Sequence, residues 1–120
     1  MAAPNIVNVS SIIGKTVGIN PVQASETTVV ENTAASNKVI KVNSLIVCNI
    51  DTLSDADISV AFRRSSTNYY LARTITVPAD SSLIVISKEN QIYLEEGDLI
   101  NAQASVDGDL QIVCSYEEIS

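Results

Sequence analysis

From Lys38 onward, apolar and polar residues alternate with a period of two, interrupted by short clusters of Asp, Ser, Asn, Gly and Pro. Ile40, Val42, Ile46, Cys48 and Ile50 share one parity, and Lys41, Asn43 and Asn49 the other. That predicts a long half-buried strand with the first set facing in. The polar run Asp51 to Asp57 ends it. Ile58, Val60 and Phe62 form the next inner row, opposite Ser59 and Arg63. Ser65, Ser66, Thr67 and Asn68 then read as a hairpin turn into a strand from Tyr69 to Val77. Pro78-Ala79-Asp80-Ser81 marks another turn. Leu83 to Ile86 is a continuous apolar run, which predicts a strand covered on both faces, either central in a sheet or against a subunit partner. Ile92 to Leu94 is a short strand before the turn Glu95-Glu96-Gly97-Asp98.

The closing segment has a defined inner parity: Ile100, Ala102 and Ala104 on one strand, Leu110, Ile112 and Cys114 on the next. The two are read as a closing hairpin, in which a two-residue Asp107-Gly108 loop would oppose apolar to polar side chains. A loop of Val106-Asp107-Gly108 would instead pair Ala104 with Leu110 and Ala102 with Ile112, with Gly108 left-handed. The second register is the one expected. No stretch carries a helical period, so the chain reads as all-β, about seven to nine strands in one antiparallel β-sandwich or jelly-roll-like domain.

Residues 1–35 specify less. Val7, Val9, Ile13, Val17 and Ile19 alternate like a strand, but Ser11 and Lys15 stand in the same row. Two readings fit: an N-terminal β-arm lying on a neighbouring subunit, or edge strands of the same domain. The division expected is 1–35 as arm or edge strands and 36–120 as the sandwich.

At 120 residues the chain has room for one domain with its own core. Ile, Val and Thr dominate its apolar set, while the aromatics are one Phe and four Tyr. Core volume must therefore come from branched aliphatic packing. The net charge of −7 opposes nucleic acid and anionic membrane as partners, since phosphate contacts need clustered Lys and Arg. The N-terminal stretch has neither the charged start nor the continuous apolar core of an export signal, which leads to an expectation of synthesis in a cytoplasm. Cys48 and Cys114 both fall in apolar strand patterns and are expected as reduced core thiols rather than a bridge.

The chain contains no histidine, which removes the commonest general base, most zinc sites and the Ser-His-Asp arrangement. Gly14-Lys15-Thr16 imitates the end of a phosphate-binding loop, but that loop needs glycine at position 9, which is Val. Asp51, Asp55 and Asp57, or Glu95, Glu96 and Asp98, supply carboxylates of the kind calcium takes. Neither set has the spacing of a known calcium loop, and solvated turns that blunt strand ends are the plainer account. Glu117 and Glu118 point to opposite faces of a strand and cannot converge on one bond. Arg63 and Arg64 with Tyr69 and Tyr70 make a small basic aromatic patch of the sort that stacks on a sugar or a base, or that meets an acidic neighbour. The expectation is no enzyme, no cofactor and no metal. The candidate interaction surface comprises Val7, Val9, Ile13, Val17, Ile19, Arg63, Arg64, Tyr69 and Tyr70.

Three stretches, Asn37 to Asp51, Tyr69 to Asp98 and the ending IVCSYEEIS, together resemble small virion structural proteins of tailed phages, particularly contractile-tailed cyanophages. The likeness lies in strand and turn signatures over roughly residues 36–119 and carries no active-site residues. It implies a β-sandwich present in many copies on a virion, assembled in the host cytoplasm. A capsid decoration or cement protein is the leading form, contacting the major capsid protein or other virion proteins as a homo-oligomer, with a trimer expected. A neck, tail or fibre component, or a carbohydrate-binding adhesion module, is the alternative.

Overall fold

The computed structural model describes residues 7–120, so the first six positions of the expected N-terminal arm lie outside the described residues. Among the described residues the chain forms strands and turns without a helix: β1 (Ile12–Ile19), β2 (Thr27–Glu31), β3 (Val39–Asn49), β4 (Ala56–Arg64), β5 (Thr67–Val77), β6 (Ser82–Ile86), β7 (Ile92–Leu94), β8 (Leu99–Ala104) and β9 (Leu110–Ile119). They build two antiparallel sheets. The first runs β1-β9-β3-β6, with β7 pairing farther along β3, and the second runs β2-β8-β4-β5. The all-β sandwich expected from the alternation is the fold observed.

The core fills the space between the sheets with the inner rows of both. Ile40, Val42, Leu45 and Val47 of β3 and Leu110, Ile112 and Cys114 of β9 meet Ile58 and Val60 of β4 and Ile100, Ala102 and Ala104 of β8, all buried. Alanines on β8 leave room for the branched side chains opposite, which is how a core with one phenylalanine and no tryptophan reaches native density. Two buried asparagines fasten the connections. Asn49 Nδ2 donates to the carbonyls of Ser54 and Val77, both at 2.9 Å, while Oδ1 accepts the Asp51 N–H. Asn32 Nδ2 donates to the carbonyls of Lys38 and Leu94. Each ties a strand end to a loop that would otherwise leave buried carbonyls unpaired.

β4 and β5 form the tight hairpin. Arg64 pairs with Thr67, leaving Ser65 and Ser66 as a two-residue loop, both with positive φ (52° and 65°). That is the backbone whose twist matches a hairpin, made here without the usual Asn or Gly.

Three expectations change in the structure. The inner row of β3 does not keep one parity, because a bulge between Val42 and Ser44 shifts the pairing with β9 by a residue. Beyond it Leu45, Val47 and Asn49 turn inward, and Ile46, Cys48 and Ile50 turn outward. Leu83 to Ile86 is not a central strand. It lies at the edge of the first sheet with Ile84 64% exposed. β8 and β9 do not pair as a hairpin: they belong to opposite sheets, and the Val106–Gly108 turn arches between them. All six residues of the expected inner face are nevertheless buried, and Gly108 has the positive φ expected. Of the two readings of the N-terminal segment, the edge strand is the one that Ile12–Ile19 forms, paired to β9 from Ile12↔Ile119 to Ile19↔Ile112.

The edge position of β1 is reinforced by one carboxylate. Glu118 on β9 accepts from Lys15 Nζ on β1 and from Lys38 Nζ just before β3, each at 3.1 Å. Burial pushes its carboxyl up, but the hydrogen bonds and charges of the two lysines outweigh this and hold it below the ordinary carboxylate value of 4.5. With a depressed folded value, the stabilisation is full above the ordinary value and is lost as pH falls through the folded one. Glu118→Gln should therefore lower the melting temperature at neutral pH, and the gap to the parent should close on acidification through the carboxylate range.

The bulge in β3 predicts a second pair of outcomes. Val47→Ala should cost about 2 kcal/mol by urea titration, as a buried deletion between sheets does. Ile46→Ala should cost less than ~1 kcal/mol, as for a surface position. The unbroken period-two pattern predicts the reverse order.

Candidate functional site

The acidic turns are occupied by the fold itself. Asp51 Oδ1 accepts the N–H groups of Leu53 (2.8 Å) and Ser54 (3.1 Å), and these bonds hold its carboxyl below the ordinary value. Asp55 Oδ1 accepts the Ala79 N–H at 3.0 Å, joining two loops at one end of the sandwich. Asp98 is buried and bidentate with Arg64, Nε at 2.9 Å and Nη2 at 2.7 Å, while its second oxygen also accepts the Glu95 N–H. The Asp98 bonds, foremost among the contacts of Arg64, raise that guanidinium further above its ordinary value. No group of three or more metal-ligating side chains gathers among the described residues. Gly14-Lys15-Thr16 lies within strand β1 and forms no phosphate cradle.

The two cysteines are free and sit on opposite faces of the first sheet. Cys114 faces the core, where burial pushes its thiol up to about 11, so it stays neutral and unreactive. Cys48 faces outward, and this geometry excludes a bridge between them.

The basic aromatic patch does not assemble as one surface. Arg63 turns to the outer face of the second sheet and pairs with Glu26 at 3.0 Å. Arg64 turns the other way, over the Phe62 ring (5.0 Å) and onto Asp98. Tyr69 packs against Phe62 at 5.9 Å between ring centroids, and Tyr70, its neighbour in β5, points to the opposite face. The cation on Tyr70 is Arg73, 4.9 Å from its ring centroid. No period-two reading could find that pair, because it depends on a bulge in β5.

The N-terminal candidates divide similarly. Val17 and Ile19 pack against the core of their own domain, so they are edge-strand residues first. Ile13 is half exposed and Val7 almost wholly so, while Val9 is partly buried.

One surface stands apart from the rest of this acidic chain. Across the outer face of the first sheet, Gly18, Val113, Ile46 and Ile84 are successive cross-strand partners on β1, β9, β3 and β6. Val113 (48% exposed), Ile46 (37%) and Ile84 (64%) form an apolar row. The neighbouring rows are Thr16, Ser115 and Ser44 on one side and Gln111, Cys48 and Ser82 on the other, with no charge among them. Charge returns beyond these rows, where Glu117 stands opposite Lys41 at one end and Asp109 adjoins Asp51 at the other. Both sets of residues are visible in the sequence, but the bulge in β3 had to be known before Ile46 could be placed outside.

No protein-family model matches the chain, and no curated protein matches it in sequence. Solved structures do share its fold. A chain of the Bacillus endospore appendages, described as a novel family of disulfide-linked pili, aligns with a TM-score of 0.53 at 14% identity, covering 92% of this chain and 88% of that one. A chain of the acid-stable capsid of Helicobacter pylori bacteriophage KHP30 aligns with a TM-score of 0.55 at 11% identity, covering 94% and 90%. At these identities the likeness is one of fold: this chain is a β-sandwich of the architecture found in those two assemblies.

Proposed function

We propose that this chain is a non-enzymatic structural protein of a tailed-phage virion, and specifically a decoration or cement protein of the capsid shell. The observation that carries the reading is the uncharged apolar row Val113, Ile46 and Ile84 on a chain of net charge −7. Exposed apolar rows rimmed by uncharged polar residues are what a protein keeps for a partner surface, and sheet faces bury well against flat neighbours. Three further points support it. The sequence resembles small virion proteins of contractile-tailed cyanophages. The fold is shared with a chain of a phage capsid and with one of a bacterial pilus. Asp51 and Asp55 are engaged in turns, and Lys15, Lys38 and Glu118 at strand edges.

In this reading the apolar row seats on the major capsid protein. The N-terminal approach to β1, with exposed Val7 and Ile13 flanking a partly buried Val9, extends the contact, and copies of the chain associate as a homotrimer on the shell. A position in the neck, tail or fibre is the second form of the same role, and copy number separates the two.

Quantitative mass spectrometry of purified parent virions should find the chain in a simple ratio to the major capsid protein. A ratio fitting a single ring would move it to the neck or tail, and absence from the virion would overturn the proposal. The double variant Val113→Lys, Ile84→Glu should keep its melting temperature, since both side chains are exposed, yet fail to rebind capsids stripped of the native protein. Undiminished rebinding would remove the row from the interface.

A further inference from the structure

On the opposite side of the molecule, the outer face of the second sheet holds a polar concavity of about 280 Å³, lined by Asp57, Ser59, Tyr70, Arg73, Gln103 and Ser105 among others. The backbone is distorted to make it. β5 places the six residues Tyr70 to Ile75 opposite the four residues Ile58 to Ala61 of β4, so two extra residues are bulged out of the ladder. One of them, Thr74, has φ of 53°. The left-handed region is a true outlier for a β-branched residue, and this Thr is kept there by its N–H bond to Ser59 Oγ at 2.9 Å. Bulges of this kind re-aim a side chain. Here the result is that Arg73 lies on the Tyr70 ring at the rim of the concavity.

Arg73 forms no ion pair among the described residues, whereas Arg63 and Arg64 both do. A guanidinium laid on a ring has little rotamer freedom left to lose, so its N–H fork is presented ready for a ligand. The other lining groups have capacity to spare after their internal bonds. Asp57 Oδ1 accepts from Thr76 Oγ1, leaving Oδ2. Ser59 and Ser105 Oγ accept backbone N–H groups, leaving both hydroxyl hydrogens to donate. Gln103 Nε2 donates to the Ala24 carbonyl, leaving Oε1. The concavity thus offers donors and acceptors interleaved, with one positive and one negative side chain that cancel.

That inventory selects among ligand classes. An anion would meet the Asp57 carboxylate, and an apolar ligand would strand several polar groups without partners. A neutral compound with vicinal hydroxyls, each both donor and acceptor, matches every group, and the volume suits one or two rings. We propose that this concavity is a saccharide-binding site for neutral sugars, with Tyr70 and Arg73 as its platform. The basic aromatic signal in the sequence is thereby kept but relocated: Tyr70 serves with Arg73, while Arg63 and Tyr69 are engaged elsewhere. The site lies across the sandwich from the uncharged face and does not depend on which virion position that face serves.

The test is a nitrogen-resolved NMR titration of the full chain with lactose, maltose and cellobiose, preceded by a glycan array containing neutral and sulfated sugars. At least one neutral sugar should shift the amides of Thr74, Gln103 and Ser105 in a saturable way. Tyr70→Ala and Arg73→Ala should each weaken binding by about tenfold or more. Tyr69→Ala, on the other face, should leave it unchanged. No saturable binding by any neutral sugar, binding by sulfated sugars alone, or binding that survives both Tyr70→Ala and Arg73→Ala would overturn the assignment.

Discussion

The rest of the structure depends on β9 being paired along both edges. It bonds to β1 from Ile112 to Ile119 and to β3 from Leu110 to Ile119, so it joins β1 to the strand on which β6 and β7 pair in turn. Its inward residues Leu110, Ile112 and Cys114 join those of β3 in that sheet's half of the core. Its outward Val113 sits at the centre of the uncharged row, and its Glu118 holds Lys15 within β1 and Lys38 just before β3. One strand therefore couples the burial that stabilises the sandwich to the surface proposed for assembly. A doubly paired strand leaves no free ladder groups, and it places the liability of exposed edges on β1 and β6.

The two outer faces are chemically distinct. The first sheet shows water an apolar, uncharged row, and the second shows Arg63 paired with Glu26, the Asn68–Asn101 bond and the polar concavity beside Arg73. A molecule built this way has one side suited to a protein neighbour and another suited to a hydrated ligand. On a shell, such a module would be attached by the first and would present the second outward.

Much of this was legible in the sequence where one physical rule decides the outcome. Period-two alternation identified the strands, and burial parity on β8 and β9 was right for every residue from Ile100 to Cys114 in the inner row. The same rule cannot say which sheet a strand joins. Two inward rows look alike whether they lie side by side in a hairpin or face each other across a core, which is why the β8–β9 arch was read as a hairpin. Nor can it see bulges. A single extra residue in β3 moved Ile46 and Cys48 from the inside to the outside, and two in β5 brought Arg73 onto Tyr70. Both surfaces of functional interest lie at these irregularities, so the places where local pattern failed are the places where chemistry was found. The Leu83–Ile86 run is corrected only in its first reading: it is an edge strand rather than a central one, and Ile84 stands exposed in a row with Ile46 and Val113, the row proposed to meet a partner.

The central claim, that the uncharged face of the first sheet attaches this chain to a virion, is tested most directly by cryo-electron microscopy of the parent phage at side-chain resolution. The account predicts the sandwich on the capsid shell in symmetry-related copies, with Val113, Ile46 and Ile84 buried against a neighbouring subunit and the Arg73 concavity facing solvent. A virion in which that row faces water while another surface makes the contacts would contradict it.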